Sequence, residues 1–141
     1  MQSIRTEIII HAPIQSVWDI LTNFEAYPSW NPFIIRIKGD LNLGAVLATT
    51  LINNGKENHF TPQITALQKE QQFEWLGKLP LGMFNGNHYF HLEKIDAQNT
   101  RLIHGERFSG WLSGLILYLI KEETIRGFEA MNKALKNKAE Q

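Results

Sequence analysis

Apolar and polar residues alternate through most of the chain and give way to a helical period near both ends. Ser3 to Ile10 places Ile4, Ile8 and Ile10 on one face and Arg5 and Glu7 on the other, which predicts a half-buried strand. The period then lengthens. Ile14, Val17, Trp18 and Leu21 recur at helical spacing, and Pro13 suits the first helical position, where its missing N–H is harmless. Pro28 and Pro32 interrupt that pattern and predict a short second helical turn followed by extended chain.

Six further strands are predicted. The segment FIIRIKG sets Phe33, Ile35 and Ile37 on one face, and AVLATTLI leads into the turn Asn53 to Lys56, where Asn and Gly tolerate positive φ. In HFTPQITAL, Phe60, Pro62, Ile64 and Ala66 alternate against His59, Thr61, Gln63 and Thr65, with Pro62 marking an edge or a bulge. QFEWLGKL, FNGNHYFHLEKI and TRLIHGERF follow, the last two joined by a hairpin at DAQN. From Ser113 to about Lys138 the helical period returns, with Ile116, Ile120, Ile125, Phe128, Met131 and Leu135 on its apolar side. Gly127 inside this helix costs about 1 kcal/mol relative to alanine, so close packing or a bend is expected there.

Strands in succession with helices at the ends predict an α+β fold, an antiparallel sheet covered on one face by the C-terminal helix. At 141 residues the chain is expected to form one domain, residues 1–141. Fourteen basic and fourteen acidic residues cancel, which offers no general attraction to a phosphate backbone and argues against a nucleic-acid partner. Without cysteine there are no disulfides, thiolate metal sites or cysteine nucleophiles, a composition that fits a cytoplasmic protein. The opening MQSIRTEIII is not patterned like a secretory signal. The longest apolar run, Trp111 to Ile120, is too short to cross a bilayer, which takes ~20 residues, and is expected to be the buried first half of the long helix.

Several segments together resemble one family. Ala12, Pro13, Val17 and Trp18, the stretch Tyr27 to Pro32, and the segments FTPQI, FEWLG, HYFHLE and HGERFSG are similar to the SRPBCC superfamily of START lipid-transfer domains, birch-pollen-allergen proteins and polyketide cyclases. They look most like a bacterial branch related to polyketide cyclases. The resemblance covers nearly the whole chain. It implies a helix-grip fold, a curved seven-stranded antiparallel sheet wrapped around a long C-terminal helix, with two short helices after strand 1 and a largely apolar pocket. It implies no metal or organic cofactor, and it fixes no single activity.

The chemistry is concentrated in LIHGERF, where Leu102, His104, Glu106 and Phe108 share the buried face of their strand. A buried carboxylate is costly unless paired. If paired positions in the DAQN hairpin sum to about 196, His88 faces Phe108, Phe90 faces Glu106 and Leu92 faces His104, which makes His88 and Glu106 diagonal neighbours. Three roles are open to that pair: a self-satisfied structural contact, orientation of a ligand's polar group, or acid–base catalysis of an aldol or dehydration. Opposite charge would raise the histidine pKa and lower that of Glu106, whereas desolvation would push both the other way. His104, near a sheet end, is expected to be partly exposed, and His11, His59 and His91 to be solvated. A three-histidine metal site would need a convergence this pattern lacks.

Trp30, Phe33, Phe60, Phe73, Trp75, Phe84, Phe90 and Phe108 fall on the inner face or its rim, with Ile116 and Ile120 facing them from the helix. They fill a core or line a pocket. The leading expectation is a monomeric or weakly dimeric binding protein for a small hydrophobic molecule bearing a polar group, without stable membrane insertion. The alternatives are a cyclase or dehydratase using His88 and Glu106, and a ligand-free interaction module of co-chaperone type.

Overall fold

A computed structural model describes residues 2–141. The chain begins with strand β1 (Gln2–Ile10) and helix α1 (Ile14–Thr22), followed by a 3-10 turn (Phe24–Ala26) and the single-turn helix α2 (Tyr27–Trp30). Strands β2 (Ile34–Lys38), β3 (Ala48–Asn53), β4 (Lys56–Phe60), β5 (Gln63–Gln68) and β6 (Gln72–Lys78) come next. A second 3-10 turn (Pro80–Gly82) leads to β7 (Asn85–Asp96), β8 (Asn99–Ser109) and the long helix α3 (Ser113–Ala139). This is the helix-grip arrangement, with eight strands where seven were expected.

The extra strand comes from HFTPQITAL, which the structure divides into β4 and β5. Pro62 sits in the break: it has no N–H to donate, and its carbonyl accepts from the Leu47 amide instead (2.9 Å). The division also separates the sheet into two antiparallel parts, ordered β1-β8-β7-β6-β5 and β2-β3-β4. An isolated bridge between Val46 and Gln63 ties them together.

Local chemistry explains the turns and ends. Asn54 and Gly55 both take positive φ (54° and 72°), which gives the β3–β4 hairpin its two-residue turn. Pro13 caps α1 from outside with extended ψ (147°), one position earlier than predicted. In the proline-rich segment the Asn31 side-chain oxygen accepts from the amides of Phe33 and Ile34, both at 2.9 Å, and so starts β2.

Helix α3 lies along β1 and β8, with Leu117, Thr124, Phe128, Met131, Asn132 and Leu135 buried. Close packing does occur at Gly127, where a Cβ would overlap the Phe33 ring. The run Trp111 to Ile120, however, is not the buried half-helix expected from its composition. Trp111 is 69% exposed and Tyr118 84%, with Leu115 and Leu119 also outward. The run is apolar all round the helix, and the body of the protein covers one side only. Leu115 and Leu119 lie about half a turn away from buried Leu117 and Thr124, and Tyr118 about a third of a turn.

Candidate functional site

Two adjacent rows of side chains cross the inner face of the larger sheet. Strand pairing aligns Ile4, Glu106, His88 and Trp75 in one row, and Thr6, His104, Phe90 and Phe73 in the next. The β7–β8 register differs by two residues from the predicted one. An Ile95 bulge and the Asp96 carboxylate, which accepts from the Gln98 amide (2.9 Å), close a tighter turn than DAQN suggested. A two-residue shift keeps every side chain on its face. It makes His88 the direct partner of Glu106 rather than a diagonal one, with His88 Nδ1 3.6 Å from Glu106 Oε1.

His104 is fully buried, not partly exposed as expected. Its Nε2 lies 2.7 Å from His88 Nε2, and its Nδ1 lies 2.8 Å from Asn132 Oδ1 on α3. Aromatic rings enclose both imidazoles. Phe128 stacks on His104 at 4.2 Å and sits 4.9 Å from His88, while Phe90 stacks on the other side of His104 at 4.4 Å. Phe73 and Trp75 continue the cluster along β6.

Such surroundings penalise charge, and desolvation outweighs the attraction of opposite charges. Burial pushes the Glu106 carboxyl up from its ordinary 4.5 to about 8, so it is protonated at neutral pH. Burial, and after it the neighbouring His104, holds His88 well below its ordinary 6.5. Burial takes His104 down to about 3, against the raising effect of its hydrogen bond to Asn132. The His88–Glu106 contact is therefore between neutral groups. Glu106 escapes the cost of a buried charge by keeping its proton.

A cavity of about 510 Å³ adjoins this pair. Trp75, His88, Glu106 and Phe108 form its wall on the larger sheet, Leu51 and Phe60 on the smaller, and Ile120 and Thr124 on α3. Exposed Asn54, Lys56, Lys78 and Leu79 stand at its mouth. Phe33 and Phe84, also anticipated, border it as well. Trp30, Phe73, Phe90, His104 and Ile116 do not. Trp30, partly buried, packs edge-on against Tyr27, and Phe73 edge-on against Trp18 and Phe24 in the core, where Phe90 stacks on His104. Ile116 sits half-buried one turn before the cavity.

The remaining histidines lie away from this space. His11 and His59 are exposed, with His11 Nδ1 2.7 Å from Asn99 Oδ1 and His59 Nδ1 2.9 Å from Thr50 Oγ1. His91 departs from expectation, half-buried on the outer face with its Nε2 2.8 Å from Glu74 Oε2. Among the described residues no three His, Asp or Glu side chains converge as a metal site requires.

Sequence reasoning missed Thr6, Gly86, Asn132 and the mouth residues. Thr6 and Asn132 carried a usable signal, since each is a polar residue on an otherwise apolar stripe, as Glu106 is. Gly86 carried none: a Cβ there would overlap Glu106 Oε2, and only the fold shows that the carboxyl lies over it.

Sheet, gripping helix and the open-mouthed apolar cavity between them define a helix-grip protein. The chain belongs to the family described as "Polyketide cyclase / dehydrase and lipid transport", whose profile it matches over residues 1–140. Solved structures share the fold at low identity. The Zhui aromatase/cyclase from a Streptomyces species is 15% identical with a TM-score of 0.81, covering 99% of this chain and 93% of that one. A START superfamily protein from Mycobacterium smegmatis is 20% identical with a TM-score of 0.76, covering 99% and 97%. Norcoclaurine synthase from Thalictrum flavum, in truncated form, is 13% identical with a TM-score of 0.74, covering 96% and 91%. No curated protein sequence matches the chain.

Proposed function

We propose that this protein binds a small, mainly apolar molecule whose polar group meets Glu106 and His88. The observation that carries this reading is the roughly 510 Å³ cavity with a protonated carboxyl on an aromatic wall. Its size and lining match those of small-molecule sites, in which a few polar groups orient an apolar body. The family's description, which includes lipid transport, supports the same reading. A ligand-free interaction module has no need of such a cavity. The test is titration with N-phenyl-1-naphthylamine, a neutral fluorescent probe. Low-micromolar binding is expected, and Ile120→Trp, which fills the cavity from α3, should abolish it. Absence of binding, or binding that survives Ile120→Trp, would refute the reading.

One observation favours a catalytic extension. A neutral acid and a neutral imidazole stand side by side on the cavity wall, as enolisation of a ketone requires. His88 Nδ1 would take the α-proton as the C–H bond breaks, while Glu106 gives its proton to the carbonyl oxygen, leaving a neutral enol. The family's cyclase and dehydrase description and the aromatase/cyclase neighbour are consistent with this. Deuterium exchange into an enolisable β-diketone, lost in Glu106→Gln and in His88→Phe, would support it. Exchange equal to that in buffer would remove it.

A further inference from the structure

The hydrogen bonds that lead away from the cavity run in a single direction, and that direction is set by Thr6 at the far end. The Thr6 hydroxyl has one proton, and it donates it to the His104 carbonyl oxygen (2.7 Å). Toward Asn132, 2.8 Å away, Thr6 Oγ1 can therefore only accept, so the Asn132 group facing it is the NH₂. The Asn132 carbonyl then faces His104 Nδ1, which must carry the ring proton. In a neutral imidazole that leaves His104 Nε2 as a lone pair. His88 Nε2, 2.7 Å away, must then be the donor, and His88 Nδ1 is left unprotonated, facing Glu106.

We propose that Thr6 and Asn132, neither of which lines the cavity, act as positioning residues that lock His104 and His88 in these tautomers, so that the site selects ligands presenting a hydroxyl hydrogen-bond donor, such as a phenol, alcohol or enol. This deepens the binding reading above and rests on it. The donor requirement follows from what the wall offers. His88 Nδ1 is an acceptor, and the Glu106 proton is the donor nearest to it. At 3.6 Å, however, Glu106 Oε1 is beyond hydrogen-bond reach, so the His88 lone pair on the cavity wall requires a donor from the ligand. A carboxylate ligand would bring only further lone pairs.

Two measurements test this. In the ligand-free protein, ¹⁵N spectra of the imidazoles should show His104 protonated at Nδ1 and His88 at Nε2. For ligands, 2-naphthol should bind about tenfold more tightly than 2-methoxynaphthalene, a site built for a polar group discriminating against the analogue that lacks it. 2-Naphthoate should bind more weakly than either. Thr6→Val leaves Asn132 free to turn either way. It should mix both tautomers and reduce the naphthol preference to within about twofold, with methoxynaphthalene affinity unchanged. Thr6→Ser should restore the parent behaviour. His88 protonated at Nδ1 in the unsubstituted protein overturns the proposal, even if Thr6→Val fails to fold. So does Thr6→Val that keeps both the tautomers and the preference. Equal binding of all three naphthalenes defeats the donor requirement alone, whereas binding of none defeats the cavity reading and leaves the tautomers to stand on their spectra.

Discussion

Beneath the C-terminal half of α3 the inner face of the sheet is filled, and beneath the N-terminal half it is hollow. In the filled half Phe128, Met131 and Leu135 reach β1 and β8, and two imidazoles are held between aromatic rings. In the hollow half Ile120 and Thr124 look across the cavity to Phe108, Glu106 and Leu51, while Leu115, Tyr118 and Leu119 turn outward. Apolar content does not predict which half is filled, since α3 is more apolar over the hollow half, from Leu115 to Ile120, than over the filled one. What differs is what lies opposite. The break at Pro62 interrupts the ladder, so that β5 meets the loop before β3 at the Val46–Gln63 bridge and its flanking backbone hydrogen bonds, and the cavity opens between the two sheets.

Leucine truncation along α3 should give the largest contrast. Leu135→Ala removes a fully buried side chain and should cost about 2–5 kcal/mol in urea unfolding. Leu119→Ala, sixteen residues earlier and 69% exposed, should change stability by no more than about 0.5 kcal/mol. Comparable losses at both positions would mean that the helix is buried along its whole length.

Gly127→Ala probes the boundary between the halves. The new methyl meets the Phe33 ring, and overpacking of this kind costs roughly 1–3 kcal/mol, against about 1 kcal/mol gained in helix propensity. Phe33 borders the cavity, so its ring has room to yield. The expected outcome is a net destabilisation of about 2 kcal/mol or less, with weaker probe binding as Phe33 moves into the cavity. Unchanged probe binding would show that the ring does not give way there.

Alternation and turn chemistry made most of the fold legible in the sequence. Ile4, Ile8 and Ile10 gave the first strand's inner face, Asn54 and Gly55 a hairpin, and the helical period the full extent of α3. The inward placement of His88 and Glu106 was legible too, because parity survives the two-residue register shift. Partners were not legible: a single bulged residue, Ile95, decides which side chain meets Glu106. Nor could periodicity separate filled from hollow, since Phe73 and Phe108 have the same chemistry on the same face, and only the second borders the cavity. His104 looked peripheral from its place along the strand, yet α3 covers it with Phe128 and Asn132.

A smaller effect should appear in the dependence of stability on pH, where the two imidazoles and the carboxyl pull in opposite directions. His88 and His104 have native pKa values below their ordinary 6.5, so the unfolded chain binds more protons beneath that pH and stability falls as pH drops through it. Glu106 is raised from 4.5 to about 8, so its contribution is complete below pH 4.5 and is lost as pH rises toward 8. Two histidines outweigh one carboxyl between pH 4.5 and 6.5. Their combined contribution should therefore peak near pH 6.5 and decline to pH 8. Glu106→Gln should remove that decline, and urea midpoints measured across this range would show it. A decline that persists in the variant would assign it to other groups.

The hollow half presents a neutral acid on its cavity wall, which a ¹³C NMR titration of the Glu106 side-chain carboxyl in the ligand-free protein would read at the atom concerned. A protonated carboxyl at pH 7 and a midpoint near 8 are expected. A midpoint at the ordinary 4.5 would contradict this, leaving an ionised Glu106 facing the His88 lone pair and removing the basis for both the ligand and the acid–base readings.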